Sequence, residues 1–291
     1  MHSYGGSGMS IWGNCITIGG GGGGGGDVPL LTSAQWSTLT TAQKQAYNLV
    51  AIQKSSSGFK RGTLVNGADY VPVGIYLPDS DESNVICEAY VANFASGQAT
   101  WGYGTEPVTF ANGTTTGVAV NGTENAVYIP MNTNSLIASV DLGATDKPFT
   151  AYLVIKLINP GYYSRVICCM KSRSFYQGFA CYGSTFTFST WGNQIDTGIS
   201  TASDYVALTI RYDGTGTAIG YIHGYNSQLS LNISASGRYV TIARSDTDPS
   251  TSNAEPCDCY VRYFAVVDEA DTATAMESNL ANIYSEFVAQ P

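Results

Sequence analysis

From about residue 71 onward the chain alternates apolar and polar positions in short runs. In "YVALTIRY" (205–212), Val206, Leu208 and Ile210 alternate with Tyr205, Ala207, Thr209 and Arg211, the period of a strand with one buried face. "AYLVIKLI" (151–158), "AIGYIHG" (218–224), "RYVTIAR" (238–244) and "CYVRYFAVV" (259–267) are equally rich in β-branched and aromatic residues, and Gly, Asn, Asp and Ser separate them. Asp213-Gly214 predicts a tight turn between two of these strands. The period changes once, near the end. In "DTATAMESNLANIYSEFVAQP", Met276, Leu280, Ile283, Tyr284 and Phe287 share one helical face, and Thr274 with Glu277 has capping-box spacing. Strands closed by a single helix predict an all-β sandwich.

Upstream the pattern differs. Between residues 31 and 70, Thr32 with Gln35 and Thr40 with Gln43 have capping-box spacing, predicting two short helices whose apolar face is Trp36, Leu39, Tyr47 and Val50. Asn66-Gly67 then predicts a hairpin turn. Elements this small bury too little surface to stand alone, so the zone is expected to dock elsewhere. Residues 1–30 hold a short apolar island, "MSIWGNCITI", followed by eight glycines at 19–26. Ile11, Trp12, Ile16 and Ile18 are too few for a core and suit a strand or plug added to a neighbouring sheet. Glycine loses the most freedom on ordering, so the run, with Gly19, Gly22 and Gly26, is expected to earn its place where subunit backbones meet without side chains between them. The expected organisation is an anchoring arm (1–30), a helix–hairpin connector (31–70), a β linker or first sandwich strands (71–104) and the main domain (105–291).

Composition narrows the function. Charged residues make up 12% of the chain, about half the usual share. The net charge of −9 argues against nucleic acid, which is held by Lys and Arg on phosphates. No run of 18 apolar residues suggests a membrane span, and "MHSYGGSGMS" lacks the basic start and apolar core of a secretory signal, so synthesis in a cytoplasm is expected. The seven cysteines are odd in number and irregularly spaced, and there are two histidines, which suits reduced thiols better than a disulfide framework or a zinc site.

Five segments occur in an order that carries a resemblance: "GVAVNGTENAVYIP" (117–130), "PFTAYLVIKL" (148–157), "YVALTIRYDGTGTAIGYIHG" (205–224), "GRYVTIA" (237–243) and "VRYFAVVDEADTATAMESNLANIYSEF" (261–287). Together they resemble the concanavalin A-like jelly roll in its laminin G-like branch, across roughly residues 105–288. The resemblance implies two packed antiparallel sheets and, often, carbohydrate or protein binding on a concave face or rim loops. The β-glucanases of that superfamily use an E-x-D-x-E strand, which this chain lacks. Asp268, Glu269 and Asp271 in "VVDEAD" are expected to be a solvated helix start, and His223 a structural residue. No catalytic residue is assigned.

A Gly-rich arm, low charge, no secretory start and a terminal jelly roll resemble the architecture of bacteriophage head fibres, tail fibres and capsid decoration proteins. The expected role is therefore a virion surface component. It would be made in the host bacterial cytoplasm, assembled as a trimer or other ring, and attached to other virion proteins through residues 1–70. The alternatives are a free-standing bacterial lectin or adhesin and, behind it, a glycoside hydrolase with an unrecognised site. Sugar rings stack on flat aromatic faces flanked by neutral hydrogen-bonding groups. Candidates are Trp101, Tyr103, Tyr162, Tyr163, Tyr176 and Trp191, with Asn193 and Gln194 beside the last. No cofactor is expected beyond a weak case for calcium at Asp79, Asp81 and Glu82, where EF-hand spacing is absent.

Overall fold

The structure is a computed structural model. It describes residues 15–17, 27–32, 38–40, 43, 50–53, 60–66, 69–70, 75–77 and 85–289, the last range without 92–93, 95–97, 103, 112–116, 131–135, 162, 173–174, 191, 203, 226, 234 and 245–256. The chain divides into two compact units, residues 1–56 with 60–77 and residues 57–59 with 78–291.

The first unit contains a six-stranded sheet: β1 (Cys15–Thr17), β2 (Asp27–Thr32), β3 (Val50–Gln53), β4 (Lys60–Asn66), β5 (Asp69–Tyr70) and β6 (Ile75–Leu77). The flanks of the glycine run pair with each other, with Ile16 opposite Val28 and Thr17 opposite Asp27. β1 and β2 are thus partners within this chain. Ile11, Trp12, Ile18, Gly19, Gly22 and Gly26 lie outside the described residues. Val50, expected on a helical face, instead opens β3 opposite Val65, where β-branched side chains suit a sheet. Thr32 closes β2 opposite Gln53, and Gln35 lies outside the described residues. The second capping box is formed: the Thr40 backbone N–H donates to Gln43 Oε1 at 2.9 Å, and the Gln43 N–H to Thr40 Oγ1 at 3.3 Å. Asn66 pairs with Asp69, so the predicted hairpin joins β4 to β5.

The second unit is an antiparallel β-sandwich. Sheet A runs in the order β10 (Ala119–Asn121), β11 (Ala126–Ile129), β22 (Cys259–Val267), β13 (Phe149–Leu157), β18 (Val206–Tyr212), β19 (Thr217–Ile222) and β20 (Leu229–Asn232). β7 (Val85–Tyr90) also pairs with β22, beyond the end of β11. Sheet B runs in the order β17 (Asn193–Ser200), β16 (Thr185–Thr190), β15 (Phe175–Tyr182), β14 (Tyr163–Ser172), β21 (Tyr239–Ile242), β12 (Ile137–Asp141), β9 (Val108–Ala111) and β8 (Thr100–Trp101). Because β7 and β8 belong to these sheets, the sandwich includes strands upstream of residue 105.

The core lies between the sheets. Phe149, Ala151, Leu153 and Ile155 of β13 and Val206, Leu208 and Ile210 of β18 meet Phe179 of β15, Phe186 and Phe188 of β16 and Val240 of β21. The alternation read in "YVALTIRY" is this inward face. Gly220 of β19 faces Phe188 across this core, and a Cβ there would lie 2.5 Å from the Phe188 ring. Cys87, Cys168, Cys169, Cys181, Cys257 and Cys259 are buried and unbridged. Burial pushes the thiols of Cys87, Cys169 and Cys181 up to about 12.

Helix α1 (Ala273–Phe287) covers the outer face of sheet A, burying Met276, Asn279, Leu280 and Ile283 against β13, β18 and β22. Its N-cap is Thr272, whose Oγ1 accepts from the Ala275 N–H at 3.2 Å, two residues before the expected box. Glu277 accepts from Gln228 Nε2 instead, at 3.0 Å.

Asp271 departs from the solvated helix start expected of it. Its carboxylate lies beneath the helix, accepting from the Tyr152 hydroxyl and from Asn279 Nδ2 at 3.2 Å. Thr150 Oγ1 accepts from the Asp271 N–H and donates to the Glu269 carbonyl, both at 2.9 Å. His223 stacks on Tyr284 with centroids 4.2 Å apart.

Candidate functional site on the outer face of sheet B

Along β14 to β17 the residues facing away from the core form successive cross-strand rows. Tyr163 pairs with Tyr182 and Tyr182 with Thr185. The next row runs Arg165, Ala180, Thr187, Asp196, and the third joins Gly178, Ser189 and Gln194. The small residues of β15, Gly178 and Ala180, leave the middle of this face low. Gly178 sits near the extra residue that β14 carries between Arg165 and Ile167, and a Cβ at 178 would lie 2.1 Å from the Ile167 carbonyl oxygen.

The middle of the face is closed to solvent, since Thr187, Ser189 and Ala180 are buried. The rim is open. Tyr182 is 44% exposed and meets Tyr163 edge-on, with centroids 6.0 Å apart at 81°. The Arg165 guanidinium lies over the Tyr163 ring, 4.8 Å from its centroid, and donates to Ser189 Oγ at 3.2 Å. Both contacts fix the Tyr163 ring and hold a positive charge beneath the aromatic corner. On the edge strand, Gln194 and Asp196 are exposed, two inter-strand spacings or roughly 10 Å from β15. The corner offers a flat apolar ring with a second ring at right angles, and the Asp196 carboxylate and Gln194 amide lie one and two rows further along the same face.

Several residues singled out in the sequence gather here. Tyr163 is in the aromatic pair, Tyr176 lies in β15 opposite Met170, and Asn193 and Gln194 open β17. Asn193 pairs with Thr190, on the opposite parity from Gln194. Tyr103, Tyr162 and Trp191 lie outside the described residues. Tyr182 was missed because "CYGST" reads as a turn, and its exposure depends on β14 and β15 pairing in this register.

Trp101 is not a ligand-stacking residue. It is 1% exposed, packs edge-on against Phe94 with centroids 6.0 Å apart, and donates from Nε1 to the Tyr90 carbonyl at 2.7 Å. The glycines of "TWGYG" explain the misreading. Gly102 and Gly104, with φ of 101° and 118°, run against the backbone of β7, and a Cβ at Gly102 would lie 2.6 Å from the Glu88 carbonyl oxygen. The motif is a close backbone contact, with the indole filling the core beside it.

Asp79, Asp81 and Glu82 lie outside the described residues. Among the described residues no group of three or more His, Cys, Asp or Glu is placed to hold a metal ion, and no helix is long and apolar enough to cross a membrane. Asp268 is an exposed carboxylate paired with Lys147 at 3.0 Å.

No protein-family model matches the sequence, and no curated protein matches it. Among solved structures, the chain is similar to the binding domain of Paraclostridial Mosquitocidal Protein 1, with a TM-score of 0.49 and 12% identity over 70% of this chain and 53% of that one. It is also similar to the botulinum neurotoxin serotype D ligand binding domain in complex with N-acetylneuraminic acid, with a TM-score of 0.48 and 10% identity over 70% of this chain and 52% of that one. A second structure of the serotype D binding domain has a TM-score of 0.46 and 11% identity over 70% of this chain and 53% of that one. This chain thus spans about half the length of the solved structures it matches, and the likeness is confined to the β-sandwich fold.

Proposed function

We propose that the sandwich is a carbohydrate-binding module, and that residues 1–70 attach it to a larger particle, as in a fibre or decoration protein on a bacteriophage surface. The observation that carries the binding reading is the exposed Tyr182 ring set edge-on against Tyr163 on the face that also carries Asp196 and Gln194 of β17. A pyranose presents an apolar face to such a ring and directs its hydroxyls to amide and carboxylate groups at the margin. The attachment reading rests on the glycine run and its apolar flanks, and the protein is read as a binder without catalytic activity.

A glycan array probed with the full chain tests the binding site. At least one glycan is expected to bind, Tyr182→Ala to weaken it roughly tenfold, and Gln194→Ala to change which glycan is preferred. A blank array, or binding indifferent to both substitutions, overturns this reading. The particle reading is tested by mass spectrometry of purified virions and by light scattering in solution. A trimer or ring is expected, whereas a monomer whose first 30 residues are clipped by protease is the mark of a free-standing lectin.

A further inference from the structure

The outer face of sheet A carries a second aromatic cluster, apart from the core and from the Tyr163–Tyr182 corner. Tyr128 of β11, Tyr260 of β22 and Lys156 of β13 share one cross-strand row, each directly opposite the next. Beyond Lys156 lies Tyr205, with Lys156 Nζ 5.6 Å from its ring centroid.

Cations of this chain cover three other tyrosines, Tyr205, Tyr163 and Tyr239. The Arg262 guanidinium lies 3.6 Å from the Tyr205 centroid, Arg165 4.8 Å from Tyr163 and Arg238 5.5 Å from Tyr239. Among the described residues, none lies over Tyr128 or Tyr260. Those two rings are half-buried, with centroids 5.6 Å apart and planes tilted by 52°, so they form an open V.

Two hydrogen bonds fix the V. The Tyr128 hydroxyl donates to Asp258 Oδ1 at 3.2 Å, and Asn121 Nδ2 donates to the Tyr260 hydroxyl at 3.1 Å. Two neighbouring cations bind other groups. Lys156 is held by Glu124 at 3.1 Å and Asp204 at 3.3 Å, while Arg262 donates to the Glu124 and Phe287 carbonyls. What the V presents is two electron-rich ring faces with a carboxylate at one edge.

We propose that Tyr128, Tyr260 and Asp258 form a binding site for an organic ammonium ion. The ring quadrupole attracts a cation over its face, and the carboxylate supplies the counter-charge. The net charge of −9 draws cations towards the whole molecule. This site takes a different class of ligand from the carbohydrate corner and does not depend on it.

The experiment is a titration of the full chain with choline and with its neutral tert-butyl analogue, read by calorimetry and by the NMR signals of ring-labelled tyrosine. Choline is expected to shift the Tyr128 and Tyr260 ring signals, and the neutral analogue to leave them in place. Tyr260→Leu and Asp258→Asn should each weaken choline binding at least about threefold. Tyr260→Phe, which keeps the ring and forgoes the Asn121 bond, should retain it and guards against a folding defect in the leucine variant. An equal response to the neutral analogue, or choline binding unchanged by Tyr260→Leu, overturns the proposal. So does a neutral methyl glycoside that moves the same signals where choline does not.

Discussion

Asp213 organises the whole turn between β18 and β19. Its Oδ1 accepts from the backbone N–H groups of Thr215, Gly216 and Thr217 at 2.7, 2.9 and 3.0 Å, while Gly214 adopts a φ of 80°. Burial pulls the carboxyl up, but those donors outweigh it and hold it well below the usual carboxylate range. A depressed folded value means the stabilisation is complete above the unfolded value and is lost as pH falls through the folded one. Asp213→Ala is expected to cost about 1 kcal/mol at neutral pH and to flatten the acid limb of stability, as measured by urea unfolding across a pH series. Asp271 runs the opposite way. Burial raises its carboxyl, against the hydrogen bonds from Tyr152 and Asn279. The folded chain therefore binds the proton more tightly than the unfolded one, and stability falls as pH rises from the ordinary carboxylate value through the raised one. Asp271→Asn keeps an acceptor for both partners and should abolish that decline; an unchanged pH profile would show the decline to come from elsewhere.

At the scale of elements, the missing side chain of Gly220 in β19 makes room for the Phe188 ring of β16. Gly220→Ala would drive a Cβ into the Phe188 ring, which is fully buried and has no free direction to move. A loss of about 1–3 kcal/mol is expected, and pairing it with Phe188→Leu should recover part of the loss. Thermal unfolding of the single and double variants measures this coupling. The strands themselves were legible because their signal is local: "CYVRYFAVV" is β22 residue for residue, and Asp213-Gly214 makes the turn it promises. The helix face was legible too, but its start was not. Thr274 and Thr272 are equally good caps in sequence, and burial of Asp271 against Tyr152 selects the earlier one. Trp101 failed for a related reason. An aromatic between glycines reads as a loop until β7 is seen to run alongside and need the room.

For the whole molecule, two units with separate sheets make the sandwich a candidate for independent folding. Residues 78–291 expressed alone are expected to unfold in one cooperative transition, with the thiols inert towards a disulfide reagent until that transition. Early thiol reaction would mean that the core of the second unit depends on the first. The sheet order lay beyond the sequence, since β22 pairs with β11, β13 and β7, partners over a hundred residues away that no local period encodes. The aromatic corner was half legible for the same reason. Tyr163 and Gln194 could be nominated singly, but the register that places Tyr182 beside Tyr163 is a property of the assembled sheet.

The extra residue in β14 carries a consequence for descent. It and Gly178 lie close together in paired strands, and a side chain at 178 would meet the Ile167 carbonyl. In any lineage that carries this sandwich, glycine at 178 and the length of β14 should be inherited together. The exposed Gln194 and Asp196 on the edge strand bear no such tie and can be traded as ligands change. A deep mutational scan should therefore find 178 intolerant of residues other than glycine.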